Sequence, residues 1–139
     1  MDLARRNLCL LVPALAAAHA RAAGTTSVPT TVKRFEDLKA STSNGNSFRP
    51  ILEGTTHEGF QIEAHQTELA AGSMPHAAHH HRHEEMFLIR EGVVEVTVNG
   101  KSTRLGPGGV AYIASNDEHG IKNVGTASAQ YFVIALGKD

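Results

Sequence analysis

Apolar and polar residues alternate along much of the chain in the pattern of short, half-buried β-strands. The clearest case is residues 93–98, where three valines share one face because side chains in a strand alternate between faces. The dipeptide Asn99-Gly100 follows and is a strong signal for a two-residue hairpin. We therefore expect residues 101–105 to return antiparallel.

The same pattern predicts further short strands with turn residues between them. These strands fall at residues 48–53, 60–69, 86–90, 110–114, 120–124 and 129–136. In residues 60–69, Phe60, Ile62 and Ala64 are expected to form the buried face. Residues 41–47 predict a loop, and residues 32–40 a short helix or an edge strand. The pattern indicates a single all-β domain, a small antiparallel sandwich or barrel.

The N-terminus has the composition of an export signal. Arg5 and Arg6 precede an apolar stretch at residues 8–18 that is too short to span a bilayer, and small residues follow it. The paired arginines suggest twin-arginine export. We expect a signal peptide at residues 1–22, an N-terminal extension with an edge strand at 23–58, and the barrel domain at 59–139. This organisation predicts a periplasmic or secreted protein.

Charge and cysteine content narrow the range of partners. Removal of residues 1–22 leaves a net charge of −3, against −1 for the whole chain, which argues against a nucleic-acid partner. The removed piece includes Cys9, so the mature chain has neither a disulfide nor a thiolate ligand. No other apolar stretch has the length of a membrane span, and none is predicted.

A histidine-rich segment carries the candidate chemistry. Five of the nine histidines lie at residues 76–83, and two glutamates follow directly. His79, His81 and Glu85 have the same parity, so a strand would place them on one face. Imidazole nitrogens with one carboxylate suit a divalent first-row metal. The alternative is a solvated loop that binds metal adventitiously.

The spacing of these residues resembles the first motif of the cupin superfamily, G-x5-H-x-H-x3,4-E-x6-G. His79, His81, Glu85 and Gly92 stand at the motif spacing. The leading glycine, Gly72, lies one residue too early.

A second stretch resembles the second cupin motif, G-x5-P-x-G-x2-H-x3-N. Gly108, His119 and Asn123 match it, while Ala114 replaces the proline and Asn116 replaces a glycine. Asparagine tolerates a positive φ better than other non-glycine residues, so we expect Asn116 to preserve the turn. Together the two motifs cover roughly residues 60–136.

The resemblance implies an antiparallel jelly-roll barrel with one divalent metal ion inside it. Its implied ligands are His79, His81, Glu85 and His119, and the ion would be Mn, Fe, Ni or Zn. Four ligands on an octahedral ion leave two adjacent positions for a bidentate substrate, O2 or water. The resemblance also implies a homodimer, in which the terminal strand at 129–136 either supplies the interface or lies wholly inside.

Further side chains near the two motifs are candidates for catalysis or substrate binding. Glu85 or His83 could act as general base, and Tyr112 could donate a hydrogen bond to substrate. His83 could equally be a solvated rim residue. His76 is a candidate for substrate contact, and His65 is expected on the surface.

The fold alone does not determine the reaction. We expect a metal-dependent enzyme acting on a small organic acid, phenolic or sugar-like molecule that chelates the ion. A dioxygenase-like reaction is preferred over isomerase, lyase or decarboxylase chemistry. The alternative is a non-catalytic periplasmic module that binds metal or a small ligand.

Overall fold

The computed structural model describes residues 27–137, which form two antiparallel β-sheets. The predicted export signal at residues 1–22 lies outside this range. Within the described range, no helix has the length and apolar character needed to cross a membrane.

Nine strands and one short 3-10 helix make up the described part of the chain. The helix is η1 (Phe35–Asp37), and the strands are β1 (Ser41–Ser43), β2 (Asn46–Thr55), β3 (Gln61–Leu69), β4 (Glu84–Glu91), β5 (Val94–Val98), β6 (Lys101–Leu105), β7 (Val110–Ile113), β8 (His119–Asn123) and β9 (Ala129–Leu136). The larger sheet has the order β1-β2-β3-β9-β4-β7, and the smaller has the order β6-β5-β8. The all-β antiparallel prediction is confirmed.

The hairpin predicted at Asn99-Gly100 is confirmed, but the loop predicted at residues 41–47 is wrong. That segment forms the β1–β2 hairpin, which turns at Asn44 (φ 51°) and Gly45 (φ 78°). Its flanking residues are small and polar, so the hydrophobic alternation that marks a hairpin is missing there. β2 then pairs with β3, with a register shift between Pro50 and Leu52.

The two sheets pack face to face around a shared apolar core. The core residues are Leu69, Phe87, Ile89, Val94, Val96, Ile113, Ile121, Ala129, Tyr131 and Val133. β9 lies between β3 and β4, so both of its backbone edges are paired inside the sheet. The backbone of this strand is therefore internal to the sheet, while Leu136 at its end is 40% exposed, and an interface at its outward side chains stays a prediction.

β3 has the opposite orientation to the one predicted. Leu69 is fully buried in the core, so residues of the same parity, including Glu63 and His65, face the space between the sheets. Phe60, expected in the core, is 65% exposed just before the strand. The prediction took the apolar residues as the inner face, whereas here the inner face is polar because it lines a cavity.

The segment before β1 crosses the outer face of the larger sheet. The Phe35 ring lies 4.0 Å from the Arg90 guanidinium carbon and 5.2 Å from that of Arg49. Arg49 belongs to β2 and Arg90 to β4, so Phe35 spans the two strands between them. This segment covers one part of that outer face.

Candidate metal centre

The two histidine-bearing motifs are joined through their backbones. His79 and His119 form an isolated antiparallel bridge, in which the His79 amide donates to the His119 carbonyl at 3.0 Å. The His119 amide donates back to the His79 carbonyl at 2.8 Å. The bridge fixes two predicted ligands next to each other although 40 residues separate them.

A second backbone contact holds the turn that leads to His119. The Asn116 amide donates to the His81 carbonyl at 2.8 Å. Asn116 has a φ of 65°, which confirms the prediction that asparagine preserves this turn. The Asp117 amide donates to the Ala114 carbonyl at 3.1 Å, so the turn closes without the proline of the motif.

Backbone carbonyls orient two of the three imidazoles. Nδ1 of His81 donates to the His83 carbonyl at 2.8 Å, and Nδ1 of His119 donates to the Asp117 carbonyl at 2.9 Å. A carbonyl partner on one nitrogen fixes the tautomer and leaves the other nitrogen as a metal ligand. Sequence reasoning did not identify these carbonyls.

Three imidazole nitrogens are left buried without a hydrogen-bond partner among residues 27–137. They are Nδ1 of His79, Nε2 of His81 and Nε2 of His119. One nitrogen from each of these residues lies within 4.8 Å of the other two. Since a buried polar atom without a partner is costly, the arrangement suits residues that share a bound ion.

The Glu85 carboxylate completes the group from β4. Its Oε1 lies 3.4 Å from Nε2 of His81, and its Oε2 lies 3.3 Å from Nε2 of His119. Neighbouring ligands about 2.1 Å from one ion are about 3 to 3.4 Å apart in octahedral or tetrahedral geometry. The structure thus brings together the four predicted ligands, in an arrangement that fits a divalent ion.

Electrostatics favours the ligand form of His79. Burial lowers the pKa of the His79 imidazole, and the nearby His76, His119 and His81 lower it further. Because a metal binds only neutral imidazole, this shift keeps His79 ready to bind an ion at lower pH than an exposed histidine.

His83 lies beside the same group. Its ring stacks on His81 with 3.5 Å between centroids and 10° between planes. Its Nε2 is 3.3 Å from Oε1 of Glu85, and His81, His83 and Glu85 form a second, overlapping set of clustered ligand atoms. His83 therefore contacts two predicted ligands.

The group forms one wall of a cavity of about 320 Å³ between the sheets. The cavity is lined by Phe48, Glu63, His65, Thr67, Pro75, His76, His79, Glu85, Phe87, His119, Gly120, Ile121, Tyr131 and Val133. His76, predicted near the substrate, is among them and meets His79 edge to face at 4.3 Å. A cavity of this size suits a small ligand.

Two predictions about neighbouring side chains are corrected by the cavity. His65, expected on the surface, lines it, and its Nδ1 lies 2.7 Å from Oε1 of Glu63. Tyr112, a candidate for donating a hydrogen bond to substrate, is 56% exposed and does not line the cavity. The Glu84 carboxylate accepts its hydrogen bond and raises the pKa of the phenol. The parity of Tyr112 is opposite to that of the core residue Ile113, which puts it on the outer face.

Tyr131 is the tyrosine that lines the cavity, and sequence reasoning missed it. It is 2% exposed, and burial raises the pKa of its phenol well above the usual range. The Thr67 side chain shares a hydrogen bond with it. The alternation of residues 129–136 around Val133 could have indicated that Tyr131 faces inward.

Comparison with known proteins identifies a family. The family described as "Cupin domain" matches residues 65–135, just over half of the chain. A search of curated proteins finds no match.

Solved structures similar to this one include proteins of different activity. A polyketide cyclase from Streptomyces resistomycificus has a TM-score of 0.64 at 15% identity, over 79% of this chain and 81% of its own. A predicted oxalate decarboxylase from Thermotoga maritima has a TM-score of 0.63 at 20% identity, over 78% and 100%. A sugar phosphate isomerase from Silicibacter pomeroyi has a TM-score of 0.63 at 14% identity, over 78% and 76%. At these identities the likeness shows the fold alone.

Proposed function

The chain belongs to the cupin domain family, and we propose that it is a metal-dependent enzyme acting on a small chelating organic molecule. The observation that carries this proposal is the cluster of three unpartnered buried imidazole nitrogens, two of which lie within 3.4 Å of the Glu85 carboxylate. The ion would be held by His79, His81, Glu85 and His119. It would be Mn, Fe, Ni or Zn, since this ligand set serves all four.

The cavity supports binding of an organic molecule beside the ion. It is bounded by apolar walls such as Phe87 and Val133 and by polar groups such as His65 and His76. A bound divalent ion would polarise a chelating oxygen or, if redox active, support O2 chemistry. The protein itself would orient the molecule and exclude water. The chelating classes that fit are small organic acids, phenolics and sugar-like molecules.

We place a dioxygenase-like reaction first among the reaction classes, ahead of isomerase, lyase and decarboxylase chemistry. The similar structures include a cyclase, a predicted decarboxylase and an isomerase, so the fold supports several classes. Oxygen uptake with a panel of chelating substrates, measured beside product analysis, separates these reaction classes.

We also propose that the protein is exported to the periplasm or secreted, on the basis of residues 1–22.

A non-catalytic role as a metal-binding or small-ligand-binding module is the second candidate. The observation that favours it is His76, which lies exposed at the cavity beside His79 and could take part in metal capture. Tight binding of every chelator in the panel, without turnover of any, would support this role over the enzyme.

The metal content of the purified protein tests the proposed centre. We expect about one ion per chain by elemental mass spectrometry, and almost none in the double variant His79→Ala, His119→Ala. The matched control is His57→Ala, His80→Ala, which removes two exposed imidazoles and should retain the ion. Retention of the ion by the first double variant would contradict the proposed centre.

The outer face of the larger sheet supports a homodimer, which we propose as the assembly. Val110, Tyr112 and Leu136 on this face are 54%, 56% and 40% exposed. Met86 pairs with both Tyr112 and Ile134, so their outward side chains lie side by side across three strands. A second copy of the chain is the partner that would bury these exposed apolar side chains.

A further inference from the structure

The inner face of β3 brings a second pair of ionisable side chains to the same cavity. His65 and Glu63 both line the cavity from β3, which is separated from β4 by the single strand β9. Neither belongs to a cluster of metal-ligating residues found among residues 27–137. Since these two residues line the cavity without being metal ligands, we expect a role in contact with a bound organic molecule.

Strand register fixes how this pair faces the metal centre. Glu63 pairs with Ala135, and Ala135 pairs with Glu85, so the two glutamates lie in one row on either side of an alanine. Neighbouring strands are about 4.8 Å apart, which puts the two backbones about 10 Å from each other. Because alanine is small, no large side chain of β9 stands between them in this row.

His65 is held in one orientation. Its Nδ1 donates to Oε1 of Glu63 at 2.7 Å, and its ring packs against Phe48 with 4.6 Å between centroids. Its side chain is 16% exposed, against 42% for Glu63. A carboxylate on Nδ1 fixes the proton there and leaves Nε2 as the proton acceptor, and it also stabilises the imidazolium that forms on protonation.

We propose that His65 is the general base of the reaction and that Glu63 is its positioning residue. This inference rests on the metal centre and the chelating substrate of the proposed function, and it names a proton-transfer step that does not depend on the order in which the reaction classes are placed. The substrate class is an α-keto acid, an α-hydroxy acid or a related sugar-like carbonyl compound. Such a molecule would present two oxygens to the metal centre and an acidic C–H to His65.

The proposed step is a proton transfer that needs no oxidant or reductant. The C–H bond next to the carbonyl breaks, and its proton passes to Nε2 of His65. The electron pair of that bond stays on the substrate as an enolate. Glu63 remains a carboxylate, paired with the imidazolium, and the proton returns to the enolate carbon or leaves with solvent. A positioned general base of this kind contributes roughly 10²- to 10⁴-fold to a rate.

Hydrogen exchange of a simple probe tests the step. Pyruvate chelates divalent ions through its keto and carboxylate oxygens, and its methyl protons exchange with D2O through the enol. We expect the zinc-loaded full-length protein to accelerate loss of the methyl signal in ¹H NMR. His65→Gln should lower that rate about 100-fold or more, and Glu63→Gln should lower it about 10-fold. The control His57→Gln, an exposed histidine in the β2–β3 turn, should match the wild type.

Zinc content and imidazole NMR separate this inference from the proposed metal centre. All three variants should retain one zinc ion per chain, and ¹⁵N NMR of the wild type should show His65 with its proton on Nδ1. Glu63→Gln should shift that tautomer balance, which a purely structural role would not do. Absence of exchange by the zinc-loaded wild type, equal exchange by His65→Gln, or a proton on Nε2 would each overturn the base role. Failure of the wild type to hold zinc would instead overturn the metal centre.

Discussion

At the scale of single residues, positions of the two sequence motifs serve structure as well as chemistry. Asn123 is fully buried, and its amide nitrogen donates to the carbonyls of Leu69, Ala70 and Ala127. Its side-chain oxygen accepts from the Gly125 amide at 2.9 Å. Its polar side-chain atoms are used in these bonds, which tie together the end of β3, the end of β8 and the turn before β9.

Gly92 is required by close packing rather than by its turn alone. A Cβ added there would lie 2.7 Å from the Cα of Ala129, and φ is 77°. Gly100 has nearly the same φ, 78°, but nothing lies within 4 Å of the added Cβ. We expect Gly92→Ala to lower the free energy of unfolding by about 1 to 3 kcal/mol more than Gly100→Ala, measured by urea denaturation. Equal losses would show that the backbone angle alone matters.

The buried Tyr131 predicts a pH dependence of stability. Burial raises the folded-state pKa of Tyr131 above its ordinary value of 10.0, so the folded state holds this proton more tightly than the unfolded state. The stabilising contribution is fully present below pH 10 and is lost as pH rises above it. As pH rises above 10, the wild type should therefore lose stability more steeply than Tyr131→Phe, in urea titrations at each pH. Parallel curves for the two proteins would contradict the burial of this phenol.

At the scale of elements, the β5–β6 hairpin supports the loop that carries His119. The Asn99 amide donates to the Glu118 carbonyl at 2.8 Å, and its side-chain Nδ2 donates to Asp117 at 2.8 Å. The Glu118 amide donates to the Asn99 side chain at 3.1 Å. Asp117 in turn accepts from Nδ1 of His119, so the hairpin orients a predicted ligand indirectly.

Removal of the Asn99 side chain should weaken metal binding without disrupting the hairpin. Asn99→Gly keeps the positive φ of the turn, at 47° in the structure, and the backbone bond to the Glu118 carbonyl, and it removes the side-chain contacts to Asp117 and to the Glu118 amide. We expect zinc affinity to fall about 10-fold, in the range found when groups that orient metal ligands are removed. The matched control is Asn44→Gly in the other Asn-Gly hairpin, which lies far along the chain from His119 and should leave affinity unchanged. An equal effect of both variants would argue against the support by Asn99.

Comparison of elements shows what the sequence could predict and where it failed. β5 follows from clear alternation, β6 from the Asn99-Gly100 hairpin and β9 from its apolar run. The four predicted ligands lie near one another, as the resemblance to the two motifs implied. The inner face predicted for β3 is wrong, because apolar residues normally point inward, whereas in this strand the polar residues Glu63 and His65 point inward and line the cavity. His65 was missed for that reason. Which face of a strand lines a polar cavity depends on the opposite sheet, and that information is not local in the sequence.

At the scale of the whole molecule, the outer face of the larger sheet differs in its two parts. One part is covered by the segment around Phe35, which packs against Arg49 and Arg90. The other part leaves Val110 and Tyr112 exposed. We placed the dimer interface on this uncovered part.

Charge introduced on the uncovered part should dissociate the proposed dimer. Val110→Lys, Tyr112→Lys should shift sedimentation velocity from a dimer to a monomer, because two ammonium groups would be buried without partners. Val32→Lys is the control, since Val32 is 93% exposed and lies on the N-terminal segment. A wild type that sediments as a monomer would contradict the assembly, and a dimer that survives the double variant would place its interface elsewhere.

The backbone bridge between His79 and His119 has a consequence for how the chain holds itself together. An ion bound to both residues closes a 40-residue loop that contains β4, β5, β6 and β7. In the unfolded chain, a link of that span would remove conformational freedom worth about 4 kcal/mol. Residues 27–137 contain no cysteine, so the metal would take the place that a disulfide occupies in many small domains. Unlike a disulfide, a link through the metal would form under reducing and oxidising conditions alike, and a chelator would break it.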